Sequence, residues 1–225
     1  MKHIYNLRRA LWYWNQFGSK KIIYSAGIPR SGSTLLFNIL RVVLEMEYKD
    51  HVSSCWIEEI DKKSVNKINL IKTHHLNKID MLRANRTFYT YRDIRDVLVS
   101  RLKMFDREPT IEIVRYHIQL HQLVERMGCH TVKYETMITF VEGTIHDVAN
   151  VLGLKVDPLA VMKKLPSPKK SKAPDNGHDK DTLLHEGHVT GTKNREWEDV
   201  LPKELQKQIH SEFEWWFQKY GYPTS

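Results

Sequence analysis

Two short segments carry residue types that could do chemistry together. In Leu70-Ile-Lys-Thr-His-His75 a lysine and a histidine stand two residues apart. Side chains alternate along an extended strand, so Lys72 and His74 share one face while Thr73 and His75 take the other. A cation beside a general base can stabilise developing negative charge while a proton leaves an attacking group. The second segment is Gly27-Ile-Pro-Arg-Ser-Gly-Ser-Thr34. Its glycines permit positive φ or close ligand approach. Successive backbone N–H groups leading into a helix form a cradle for phosphate. The spacing is that of the nucleotide-binding loop GxxxxGK[ST], but Ser33 stands at the lysine position and the basic residue is Arg30, inside the loop. A triphosphate would lose its main charge partner here, whereas an arginine three residues earlier suits a shorter group.

These residues need elements to position them. Lys21–Ala26 reads as a buried strand running into the loop, and the apolar run from Thr34 to Met46 as the helix that follows. Further strands are expected at Lys67–Thr73, Arg86–Tyr91 and Cys129–Tyr134, with a helix at 53–64 between the first two strands. Asp93 reads as an N-cap with Asp96 as capping-box partner, opening a helix to Met104. Pro109-Thr110 opens a helix with Ile111, Val114, Ile118, His121 and Val124 on one stripe. Helices are also expected at 3–17, 139–152 and 157–164, and a last one from Pro202 with an aromatic face. Strands alternating with helices predict an α/β fold: a three-layer sandwich with a central, mainly parallel sheet and a P-loop-like strand-loop-helix. The Pro-, Lys- and Ser-rich stretch 165–187 reads as a mobile loop within one domain spanning 1–225.

Composition bounds the rest. The chain has 225 residues, 41% hydrophobic and 28% charged, which excludes disorder and low complexity as defaults. Thirty-five Lys+Arg against 27 Asp+Glu give a formal charge of +8, pointing to an anionic partner. The two cysteines form no disulfide framework or zinc spacing. No stretch approaches a membrane span and the N-terminus does not read as a signal peptide, so a cytoplasmic protein is the expectation.

The loop IPRSGST (Ile28–Thr34) resembles the 5′-phosphosulfate-binding loop of sulfotransferases that use 3′-phosphoadenosine-5′-phosphosulfate (PAPS). Three further segments follow in the family's order. The resemblance implies that Arg30, Ser31, Gly32, Ser33, Thr34 and Leu35 bind the cofactor's 5′ side, that His74 is the catalytic base, and that Lys72 and Arg30 act on the transferring group. Tyr91–Ser100 resembles the family's second signature, implying Arg92 and Ser100 as partners of the 3′-phosphate. Val132–Met137 resembles its Tyr-Glu-Asp segment, implying Tyr134 near the adenine. His188–Trp197 resembles its glycine-containing loop, implying Gly191, Thr192 and Lys193 at the 3′-phosphate, although the family's Arg-Lys pair is replaced by Thr190 ahead of Gly191. Trp197 reads as packing.

The implied activity is sulfuryl transfer from PAPS to a hydroxyl or amine, leaving 3′-phosphoadenosine 5′-phosphate (PAP), with no metal. The acceptor is a small molecule or carbohydrate, with lipid and peptide tyrosine also open, and the oligomeric state is open. Two rivals stand beside this reading. A P-loop nucleotide kinase would need a substitute for the missing lysine. A non-enzymatic polyanion-binding protein would need a clustered basic face, and no nucleic-acid motif is present. His117 and His121, one helical turn apart, lack a third metal ligand and read as structural or surface residues. Arg101 and Lys103 read as a solvated face, and the lysines of 163–172 as a solvated loop or a flap over an anion.

Overall fold

Strand β1 (Lys21–Gly27) explains the architecture. Its side chains alternate between two separate cores: Ile22, Tyr24 and Ala26 enter one and Ile23 the other. The period-two pattern of a sheet covered on both faces is therefore built into one strand. The computed structural model describes residues 18, 20–62, 65–167, 177, 179–185 and 195–224. The helix expected at 3–17 lies outside them.

After β1 come α1 (Ser33–Tyr48), β2 (Val52–Trp56), a 3₁₀ segment (Ile57–Lys62), β3 (Ile68–Thr73), α2 (Lys78–Arg83) and β4 (Arg86–Tyr91). Then follow α3 (Ile94–Phe105), α4 (Ile111–Arg126), β5 (His130–Lys133), α5 (Tyr134–Thr139), α6 (Val141–Leu152), α7 (Pro158–Lys164), α8 (Trp197–Val200) and α9 (Lys203–Tyr220). The sheet order is β2-β3-β1-β4-β5 and all four ladders are parallel. One core joins α3, α4 and α9 to the sheet through Val97, Val114, Ile118, Trp216 and Phe217; the other joins α1, α6 and α7 through Phe37, Leu40, Val148 and Val161. This is the expected three-layer α/β sandwich. β1 is central, and the chain builds out first on its β3 side and then on its β4 side. The crevice at the carboxyl ends of β1, β3 and β4 is thus the topological switch point, where open α/β sheets bind ligands.

Several expectations need correction. Residues 53–64 are not a helix: Val52–Trp56 is an edge strand paired to β3, followed by 3₁₀ turns. Its short, polar VSSCW run hides a strand buried mainly at Cys55. Asp93 caps α3 by accepting from the Arg95 N–H at 3.0 Å, but the capping box with Asp96 does not form. The Asp93 N–H donates instead to Glu135 Oε1 at 3.2 Å, and Asp96 accepts from the Arg195 N–H at 3.3 Å. Much of the loop expected at 165–187 lies outside the described residues, but its later part is packed. Leu183 and Leu184 are buried, and the Thr182 carbonyl accepts from Asn38 Nδ2 on α1 at 2.8 Å. Among the described residues no helix is long and apolar enough to cross a membrane.

Candidate active site

The loop between β1 and α1 is held from below by β4. The Ser31 hydroxyl donates to the Ile28 carbonyl at 2.6 Å and lies 2.8 Å from Thr90 Oγ1, while the Ser31 N–H donates to the Ile28 carbonyl at 3.0 Å. Ser31 is fully buried, so its side chain shapes the loop from beneath. Gly27 permits this closure, since a Cβ there would stand 2.0 Å from Thr90 Oγ1. Gly32 has φ +80, and a Cβ there would meet the Tyr134 ring at 2.6 Å. Arg30 also takes a left-handed backbone, φ 75. Ser33, Thr34 and Leu35 form the first turn of α1. Their N–H groups have no intrahelical carbonyl partners, and no acidic residue occupies that turn. Such a helix start favours a bound anion.

Around this loop three basic side chains converge. Arg30 Nε donates to Ser100 Oγ at 3.0 Å, which ties the loop to α3. Arg92, just past β4, reaches the Arg30 carbonyl through Nη1 at 3.5 Å, and its guanidinium lies 4.5 Å from the Tyr134 ring centroid. It is 4% exposed, and its Nε and Nη2 have no hydrogen-bond partner; the nearest carboxylate contact is Asp96 at 4.0 Å. Burial and the neighbouring Arg92 charge lower the pKa of Arg30. Tyr134 opens α5 and walls the loop, with its ring against Gly32 and Arg92.

Lys72 and His74 stand at the end of β3 beside β1. The Lys72 ammonium is buried, donates to Thr34 Oγ1 and lies 4.4 Å over the Trp56 ring. Burial lowers its pKa to about 7. His74 packs edge-on against the same tryptophan, at 5.2 Å between centroids, so Lys72 and His74 do share one side of the strand. His74 Nδ1 is 2.9 Å from the Gly27 carbonyl. A carbonyl only accepts, so Nδ1 carries the hydrogen and Nε2 keeps its lone pair. Burial, then the Lys72 charge, lowers His74 to about 4. His75 faces away, with Nδ1 3.5 Å from the Tyr116 hydroxyl.

The structure thus brings together Arg30, Gly32, Ser33, Thr34, Lys72, His74, Arg92, Ser100 and Tyr134. Leu35 sits in the same first turn and packs partly into the α1 core. Gly191, Thr192 and Lys193 lie outside the described residues. Trp56 and Thr90 were missed by sequence reasoning. Trp56 covers both Lys72 and His74, and its place was hidden by the helix expected at 53–64. Thr90 is the penultimate residue of the expected strand Arg86–Tyr91, two before Arg92, but its bond to Ser31 spans 59 residues. Trp197 is packing, as expected: it is 2% exposed and lies 3.9 Å from the Arg95 guanidinium. His121 is a core residue. Its ring stacks on Tyr91 and Tyr220, and its Nδ1 accepts from Trp216 Nε1 at 3.3 Å.

No protein-family model matches the sequence, and no curated protein matches it. Solved structures do match. Mouse sulfotransferase SULT7A1 complexed with PAP superposes with a TM-score of 0.62 at 14% identity, over 92% of this chain and 87% of that one. Retinol dehydratase in complex with androsterone and inactive cofactor PAP gives a TM-score of 0.54 at 15% identity, over 91% and 84%. The same protein with retinol and PAP gives 0.52 at 15% identity, with the same coverage. The shared core spans nearly the whole of both chains, and this chain has the sulfotransferase fold.

Proposed function

We propose that the chain transfers the sulfuryl group of PAPS to a hydroxyl or amine, within one sulfotransferase domain over 1–225, with His74 as general base. The observation that carries the reading is the convergence, at the carboxyl ends of β1, β3 and β4, of the Lys72–His74 pair with the loop and the Arg30–Ser100–Arg92 group. The similar structures were solved with PAP bound, which agrees with it.

The residues fit a doubly phosphorylated nucleotide. Arg92 is buried with two nitrogens lacking partners, an arrangement that a phosphate oxygen would complete. The first turn of α1 offers N–H groups to a second anion. Arg92 and Ser100 would hold the 3′-phosphate, Arg30 with the rest of the loop and Lys72 the 5′ phosphosulfate, and Tyr134 the base. Gly191, Thr192 and Lys193 are proposed to complete the 3′ end. When bound, the nucleotide supplies an activated sulfuryl group on a phosphate leaving group.

His74 takes the acceptor's proton at Nε2 as the acceptor oxygen bonds to sulfur. The sulfur–oxygen bond to phosphate breaks, and its electron pair stays on the phosphate. Arg30, Lys72 and the loop N–H groups stabilise that charge, the part Mg²⁺ plays in phosphoryl transfer. As Lys72 pairs with the anion, its hold on the His74 pKa weakens and the imidazole becomes a stronger base. Ser33 at the position of the P-loop lysine counts against a kinase substrate at this loop.

The test is calorimetry with PAP and with ATP, followed by turnover of PAPS. PAP should bind and ATP should not. His74→Ala should lose about 10²–10⁴-fold in turnover with PAP affinity retained. Full activity in that variant removes the base assignment, and failure to bind PAP removes the reading.

A further inference from the structure

A second basic group gathers beside His74, apart from the nucleotide residues. Arg101 follows Ser100 on α3. It is half-buried rather than part of a solvated face, and its Nε is sealed from solvent without a hydrogen-bond partner. Among the described residues Arg101 makes no ion pair; the charge acting on it is that of Arg107, which is also basic. His117 on α4 is 4% exposed, and its Nδ1 has no partner either. Tyr116, the residue before it, lies 3.5 Å from His75 at the end of β3. The first half of α4 therefore meets the end of β3 at His75, and Arg101 on α3 is close enough to act electrostatically on both His74 and His117. Arg101, His74 and His75 all act on His117 electrostatically and, with burial, keep it neutral.

The missing element is a negative charge. Arg115, also on α4, shows the ordinary arrangement: it is paired to Glu212 at 2.6 Å and to Glu112 at 3.7 Å. Arg101 and His117 have no such carboxylate, although Asp106 and Glu108 lie in the connection between their helices. Half-buried guanidinium and fully buried imidazole nitrogens without partners are costly unless something arrives to pair with them.

We propose that Arg101 and His117 form a subsite for a carboxylate carried by the acceptor. The substrate class is then a hydroxylated acid, with its nucleophilic hydroxyl at His74 and its carboxylate a few bonds away on the Arg101 guanidinium. The planar fork of arginine matches a carboxylate, and a neutral imidazole N–H can add one hydrogen bond. This inference rests on the sulfuryl-transfer reading and names its acceptor.

The experiment titrates PAP-loaded protein with hydroxyphenylpropionate and with its methyl ester. The acid should bind about tenfold more tightly or better, the order expected of one charge-assisted hydrogen bond. Arg101→Gln should erase that preference, Arg101→Lys should keep part of it, and His117→Asn should reduce it. PAP affinity, measured in the same titrations, should stay at the wild-type value and shows that each variant is folded. Equal affinity for acid and ester in the wild type overturns the subsite. So does a preference that survives both Arg101→Gln and His117→Asn. In both cases intact PAP binding leaves the transfer reading in place. Loss of PAP binding in the wild type overturns that reading, and the subsite with it.

Discussion

Arg92 and Arg95 lie three residues apart and are both withdrawn from solvent, yet they live in opposite circumstances. Arg95 is fully engaged. It makes a two-pronged contact to Asp93 at 2.9 and 2.7 Å and a third to His210 at 2.7 Å, and it is sandwiched between Trp197 and Phe217 at 3.9 and 4.1 Å. Arg92 has one long contact to a carbonyl, a distant carboxylate and two nitrogens with no partner. Burial alone does not mark a functional cation. What marks it is hydrogen-bonding capacity left over after the fold has taken its share. Arg95 fastens α3 to α9, whereas Arg92 keeps two buried nitrogens that no hydrogen bond among the described residues uses.

The largest break in this comparison should come from Arg95→Ala. Removing one partner of a buried pair leaves Asp93 uncompensated, and the expected loss is about 3–5 kcal/mol of stability, read by denaturant unfolding. Arg92→Ala should behave oppositely, with stability near the wild-type value. Its PAP affinity should fall by the worth of about one or two charge-assisted hydrogen bonds, about 1.5–3 kcal/mol each, in calorimetry. Similar stability losses in the two variants would erase the distinction drawn here.

Lys72 sharpens the comparison through pH. Its pKa is lowered to about 7, so the free protein loses this charge as pH rises through that value. A bound anion favours the charged form, so binding takes up a proton and affinity declines above pH 7, by at most about tenfold per unit. The second ionisation of a phosphate is centred near pH 6, so its rising charge does not offset the decline. Lys72→Met should flatten the profile measured between pH 7 and 9. The smallest effect belongs to Ser100→Ala, which frees Arg30 from one hydrogen bond and should cost about 1 kcal/mol of PAP affinity with no change in unfolding. Unchanged affinity would make the Arg30–Ser100 contact purely structural.

The parts of the site legible in the sequence are those written locally. The glycine loop, the alternation that puts Lys72 and His74 on one side, and the step from Arg92 to Ser100 each lie within about ten residues, where strand and helix periods fix relative placement. What escaped depends on distant pairings. Trp56 sits on an edge strand too short and polar to show a period. The Ser31–Thr90 bond joins a loop to a strand far along the chain. Arg101 looks solvated because the helix wheel of α3 cannot show what α4 brings against it. Leu183, set in a polar stretch, gave no periodic sign that it joins the core around α1.

The Ser31–Thr90 contact has a consequence for the order of assembly. The phosphate loop follows β1, but its floor arrives only with β4, which pairs with β1 across more than sixty residues. Every ladder in the sheet joins parallel strands, so none can zip from a tight hairpin. While the chain is being synthesised, a nascent stretch ending before residue 86 can hold β1, α1 and β3 but not a closed loop. Closure of the loop is therefore a later event in the life of the chain, completed by a strand whose Thr90 lies 59 residues beyond Ser31.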